Sequence, residues 1–238
     1  MLDSYHLSGR FGNRFFQNVV IDMLSRKFNL PARYEYFNEC SALGFDLFTN
    51  GTNIYENTRM VNDINILRLL DMDSINVNLI LQKHDTYFQC PEIAKRIRMN
   101  LDTGKIKERN SQSVRYGNNT DMFVHVRLGD LKNTSFVPPI EYYDSLLQSI
   151  SFSNGYIASD TIDHPIVQRL ISKYSLKPFI DNEINTIQFG STCKYIVTAG
   201  GTFSWLIALL GFDSVVYYPK DYLKWHGDIY GFPDWKGI

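Results

Sequence analysis

Four short clusters in this chain hold residue types whose spacing could do chemistry. The first is His125-Val-Arg127-Leu-Gly129-Asp130, which closes a run of strand formers from Met122 to Val126. Open α/β sheets bind ligands beyond the carboxyl ends of their strands, so side chains at the end of such a run are placed to meet one. Arg127 offers a permanent, forked cation that matches a pair of phosphate oxygens. His125 can donate to a further oxygen, Gly129 lets backbone approach a ligand, and Asp130 is near enough in sequence to orient the arginine. A surface Arg–Asp pair closing the strand would use the same residues, and a histidine bonded within the core would account for His125.

The second cluster, Gly200-Gly201-Thr202-Phe203-Ser204, lies between a strand pattern and a helix pattern. Free amides at a positive helix end make an anion site, to which Thr202 and Ser204 add hydroxyls. Thr202 also suits a helix cap, worth about 1 kcal/mol. Phe203 and Trp205 suit packing between helix and sheet, with Trp205 in the core. The third cluster, Ser159-Asp160, ends another strand, where it can contact a ligand or cap the helix that follows. The fourth, Gly9-Arg10-Phe11-Gly12-Asn13, opens the first helix and places Gly12 and Asn13 at its start. It lacks the G-x-G-x-x-G spacing and so is no dinucleotide fingerprint. One Asp-x-Asp tripeptide, Asp71-Met72-Asp73, follows apolar residues at helical spacing, so it reads as the end of a helix rather than as a metal site.

The elements that must position these clusters follow from periodicity. Residues 4–7 read as a strand, 13–28 as a helix with Phe15, Phe16, Val19, Val20, Met23 and Leu24 on one side, and 33–37 as a second strand. Short helices are expected over 63–70 and 91–101, the latter opened by Pro91. Residues 102–120, crowded with Gly, Asn, Ser, Lys and Arg, read as a linker. From Asp121 the pattern becomes regular. Strands are expected at 122–126, 155–158, 177–180, 195–198 and 214–218, and helices at 140–150, 165–174 and 202–210. Strands alternating with helices predict a parallel sheet covered on both faces.

The 238 residues allow one large domain or two small ones. A hydrophobic content of 44% and a charged content of 21% fit a soluble globular protein. The net charge of -1 carries no nucleic-acid footprint, so an anionic ligand must be caught locally. No run is apolar enough to span a bilayer, and no basic stretch precedes an apolar one at the N-terminus. Cys40, Cys90 and Cys193 lie far apart without metal-ligand spacing, and read as reduced thiols of a cytoplasmic protein.

Three of these stretches together carry a resemblance. His125-Val-Arg127-Leu128-Gly129-Asp130 resembles the H-x-R-R-x-D motif of the α-1,2-fucosyltransferases, glycosyltransferase family 11. Gly9-Arg10-Phe11-Gly12-Asn13-Arg14-Phe15-Phe16-Gln17 is similar to their G-R-L-G-N-Q-L-F-Q, and the segment from Cys193 to Trp205 to their C-x-x-I-I-x-x-S-T-F-S-W-W. Tyr87 to Cys90, Glu141 to Tyr143 and Ser159-Asp160 fall between them in the family's order, so the resemblance spans nearly the whole chain. It implies a soluble bacterial or viral form of a GT-B-like α/β fold: two facing Rossmann-like domains with parallel sheets. The expected division is residues 1–118 on the acceptor side and 119–238 on the donor side. The implied activity is inverting, metal-independent transfer of L-fucose from GDP-fucose to a 2-hydroxyl of a galactoside glycan, with no cofactor. Arg127, assisted by His125 and oriented by Asp130, would bear on the donor diphosphate. Gly12, Asn13, Ser159, Asp160, Gly201, Thr202, Phe203 and Ser204 would bind the donor, with Asp160 on guanine. Leu128 stands where the family has a second arginine, Arg14 where Gln is usual, and Gly200 and Gly201 where Asn and Ser are common. No acid stands out as a base, although Asp3, Asp22 and Glu35 lie in the N-terminal part. Two other readings share these residues: the same fold with another nucleotide sugar, and a non-catalytic nucleotide- or sugar-binding module.

Overall fold

In the N-terminal part, the apolar residues recurring along Phe15, Phe16, Val20 and Leu24 are fully buried on one long helix, α1 (Phe11–Phe28). It connects strands β1 (Leu2–Asp3) and β2 (Ala32–Arg33), which pair in parallel. Helix α2 (Phe37–Ala42) follows, and then a second parallel pair, β3 (Thr58–Val61) and β4 (Asn78–Leu81), is linked through α3 (Ile66–Asp71). Helix α4 (Pro91–Met99) opens on the expected proline. Among the described residues, this part is therefore built of two strand–helix–strand units, each with its own two-stranded sheet. The computed structural model describes residues 1–5, 7–83, 86–129, 136–221 and 227–238.

Several expectations shift here for local reasons. The first strand ends at Asp3, because Asp3 accepts the Tyr5 N–H and Leu7 N–H returns to the Ser4 carbonyl, turning the chain where 4–7 reads as strand. The second ends at Arg33, since Tyr36 adopts a left-handed φ of 58° and starts α2 instead of extending the strand to 37. The expected linker at 102–120 contains helix α5 (Thr103–Arg109) and a 3-10 turn (Ser113–Arg115). Its polar side chains are engaged: Asn110 donates to the Gln188 carbonyl at 3.1 Å, Tyr116 to the Leu210 carbonyl at 3.1 Å, and Arg115 to Asp121 at 2.8 Å. The chain accordingly separates into one unit of Met1–Asp102 with Trp225–Ile229 and another of Thr103–Lys224 with Tyr230–Ile238, so 103–118 packs with the C-terminal unit.

That second unit holds a six-stranded, all-parallel sheet. Its strands are β5 (Met122–Val126), β6 (Gly155–Ser159), β7 (Lys177–Pro178), β8 (Tyr195–Val197), β9 (Val215–Tyr218) and β10 (Lys236–Gly237), in the order β10-β9-β8-β5-β6-β7. Helices α6 (Ile140–Ser149), α7 (Pro165–Tyr174), α8 (Glu183–Ser191) and α9 (Thr202–Leu209) join them. Every residue of β5 is buried, as a central parallel strand requires. Its alternation splits the core. Met122, Val124, Val126 and Leu128 pack with Tyr142, Tyr143, Leu146 and Leu147 of α6 and Val167 and Leu170 of α7. Phe123 meets Phe179 and Phe189 at centroid distances of 6.2 and 6.1 Å on the other face. Helix α8 escaped the periodicity argument because much of its buried face is polar or glycine: Thr186, Gln188, Gly190 and Ser191.

Candidate functional site

Counting strands in chain order from β5, the sheet reads three-two-one-four-five-six, the Rossmann order. The chain runs outward from β5 through β6 to β7, then returns to β8 on the other side of β5 and continues to β9 and β10. The order reverses between β5 and β8, and in open sheets such a switch point marks the crevice beyond the strands' carboxyl ends where ligands bind. Arg127 follows β5 and the Gly200–Ser204 turn follows β8, so these two clusters flank that crevice.

Alternation along β5 decides which side chains face which way. Leu128 is 2% exposed and belongs to the core beneath α6 and α7. His125 lies on the opposite face, its ring centroid 5.2 Å from that of Phe203. Arg127 reaches the turn before α9: a methyl placed on Gly201 would stand 3.2 Å from its Nη1. Gly201 is thus the residue that admits the guanidinium. Gly200, at φ 86°, occupies backbone that favours glycine and lets the chain pass from β8 into α9. The helix is capped by Gly201, with no side-chain cap hydrogen bond, so Thr202 stands at the first helical position instead of capping. A cation beside the amino end of a helix is unfavourable by itself and becomes favourable with an anion between them.

Two tyrosines hold the turn from behind. Tyr230 donates to the Gly201 carbonyl at 2.8 Å, and Tyr142 to the Thr198 carbonyl at 3.2 Å. Tyr142 was legible in the Glu141–Tyr143 stretch; Tyr230 comes from a tail with no periodic signal. Ser204 is fully buried, its Oγ 2.6 Å from His125 Nδ1 and 3.1 Å from the Ala199 nitrogen. Burial pushes the His125 pKa down to about 4; the Arg127 charge acts in the same direction and Asp160 opposes it. Trp205 is wholly buried, as expected.

At the end of the neighbouring strand β6, the Asp160 carboxylate accepts the Leu128 N–H at 3.0 Å. A side chain on Gly129 would collide with that carboxylate, so Gly129 is needed for the contact between the β5 and β6 ends. Asp160 itself is solvent-exposed, and Ser159 Oγ accepts the Thr161 N–H at 3.1 Å. Asp130 lies outside the described residues. Gly12 and Asn13 sit in the first turn of α1 in the N-terminal unit, where Asn13 accepts from Gln89 at 2.9 Å and packs under Gly9, whose φ is 111°. The three N-terminal acids are engaged: Asp3 with Tyr5 N–H, Asp22 with Arg26 at 2.8 Å, and Glu35 with Arg14 at 3.0 Å. Asp71 ends α3 and pairs with Arg96 at 2.6 Å. Burial raises the thiols of Cys40 and Cys193 to about 12. Cys90 is half-buried at the start of α4. Among the described residues, no helix is long and apolar enough to cross a membrane.

No family profile and no curated protein matches the chain. The chain is similar to two crystal structures of POFUT1, one in complex with GDP-fucose (crystal form II) and one with GDP. Each match covers 90% of this chain and 95% of the other at a TM-score of 0.49, with 10% and 9% identity. The resemblance to family 11 therefore stays on the motif residues themselves.

Proposed function

We propose that this chain is an inverting, metal-independent glycosyltransferase that moves L-fucose from GDP-fucose to a 2-hydroxyl of a galactoside glycan. The C-terminal unit would bind the donor and the N-terminal unit would serve the acceptor side. The carrying observation is the convergence of Arg127 and the α9 amino end on the β5/β8 switch point of a Rossmann-order sheet. Breaking the bond from the anomeric carbon to the diphosphate oxygen leaves negative charge on the leaving group. In this reading the Arg127 fork and the first amides of α9 would take up that charge without a metal ion. Asp160, at the next strand end, is the candidate contact for guanine. Attack by the acceptor hydroxyl on the opposite side of the anomeric carbon gives inversion, and the hydroxyl proton passes to solvent as the glycosidic bond forms. An oxocarbenium-like centre that forms early needs little help from a base.

The test is a panel of nucleotide sugars, GDP-fucose among them, assayed for donor hydrolysis and for transfer to galactosides. GDP-fucose turnover to a 2-linked product supports the reading. Turnover of a different donor replaces the sugar assignment, and tight binding with no turnover of any donor replaces the enzyme with a binding module.

A further inference from the structure

We propose that Ser204 fixes His125 as the neutral tautomer protonated on Nε2, so that His125 meets the donor diphosphate as an uncharged N–H donor. It acts neither as acid nor as base nor as cation, and Ser204 is a positioning residue rather than a ligand contact. The inference deepens the diphosphate reading above and rests on it for the ligand's identity.

The geometry of three groups carries it. The Ala199 backbone nitrogen can only donate, so at 3.1 Å the Ser204 Oγ accepts from it. His125 Nδ1 is the other partner of that oxygen, at 2.6 Å. If Nδ1 carried the proton and donated, the Ser204 hydroxyl hydrogen would be buried with no acceptor among the described residues, since the side chain is wholly buried. Native structures avoid that loss. With the hydroxyl donating to Nδ1, the Ala199 N–H, the Ser204 hydroxyl and Nδ1 are all paired. The proton then sits on Nε2, the ring nitrogen for which the described residues supply no partner.

The charged groups facing the ring are Arg127, from its own strand end, and Asp160, from the β6 end; α9 contributes the neutral Phe203 and Ser204. Burial is the largest influence and disfavours an imidazolium; Asp160 opposes it more strongly than Arg127 supports it, but does not overcome burial. A neutral donor also has a use. It adds a hydrogen bond to a phosphate oxygen without adding a third positive group to Arg127 and the α9 amino end.

The test begins with nitrogen-detected NMR of the full chain carrying labelled histidine, with His125 assigned by its loss in His125→Gln. The expected spectrum shows an unprotonated Nδ1 and a protonated Nε2 at neutral pH, unchanged below the ordinary histidine value of about 6.5. Ser204→Ala should give a mixed tautomer signal. Calorimetric GDP titrations complete it. Glutamine places an N–H near the Nε2 position and asparagine does not, so both variants weaken binding, but His125→Gln should bind GDP about tenfold more tightly than His125→Asn. A protonated Nδ1 at neutral pH, or a charged ring, overturns the tautomer assignment. Equal GDP affinity of the two variants overturns the donor role. If the wild-type chain shows the expected spectrum yet binds no GDP, the diphosphate reading fails and the tautomer assignment stands.

Discussion

Arg127 and Leu128 are adjacent, yet their roles differ completely because a strand alternates its faces. Arg127 reaches the glycine turn before α9, and its planar fork can bridge two phosphate oxygens where lysine offers a point charge. Arg127→Lys should therefore lower turnover by about two orders of magnitude, near 3 kcal/mol in the transition state, in a protein that melts normally. Near-normal kinetics would reduce Arg127 to a strand-end surface residue. Leu128, 2% exposed in the α6–α7 core, is expected to behave as packing. Leu128→Arg buries an unpaired charge and should cost several kcal/mol in stability, read as a large fall in melting temperature. An intact fold with tighter GDP-fucose binding would instead return this position to the donor site. The missing second arginine is thus no argument against activity, since its side chain would point away from the crevice.

At the scale of elements, the C-terminal sheet and the segment before it are joined by side-chain hydrogen bonds. Tyr116 bonds at once to Asn110, Ser191 and the Leu210 carbonyl, at 3.1, 3.0 and 3.1 Å. Removing its hydroxyl leaves buried polar groups unpaired, so Tyr116→Phe should destabilise the fold by about 1–3 kcal/mol by denaturant melting. A neutral substitution would show that residues 103–118 are a dispensable linker after all. The turn from β8 to α9 shows the same dependence on small features. Gly200 supplies the backbone conformation, Gly201 the space for Arg127, and Tyr230 and Tyr142 hold the carbonyls behind it.

For the molecule as a whole, the proposed anion site should couple ligand to stability. GDP is expected to raise the melting temperature without added metal, by an amount that a chelator leaves unchanged. A shift that vanishes with chelator would overturn the metal-independent mechanism. The buried His125 makes a second global prediction. Its folded pKa of about 4 lies below the unfolded value of about 6.5, so the unfolded chain takes up a proton first as the pH falls. The stability contributed by the neutral ring is fully present above about 6.5 and is lost progressively toward about 4, amounting to roughly 3 kcal/mol. Unfolding free energy measured across that window should fall with pH in the wild type and fall less steeply in His125→Gln. Parallel slopes would show that the ring is not held neutral.

Local pattern alone located β5, β6, α6, α7 and α9 to within a residue or two and singled out Arg127, His125 and the Gly200–Ser204 turn. These features are written in short-range periodicity and in residue types with special backbone or charge chemistry. The polar segments were less legible. Asn110, just after α5, is buried against Gln188 of α8, and Tyr116 against Ser191 of the same helix, and partners distant in sequence leave no periodic trace. Tertiary structure alone decided the strand order, and with it the switch point that brings Arg127 beside Gly201. It also turned Ser204 inward onto His125 and set Asp160 over Gly129. Each of those contacts joins residues from different strand ends, and which strands become neighbours is settled by packing of the whole sheet rather than by any one stretch of chain.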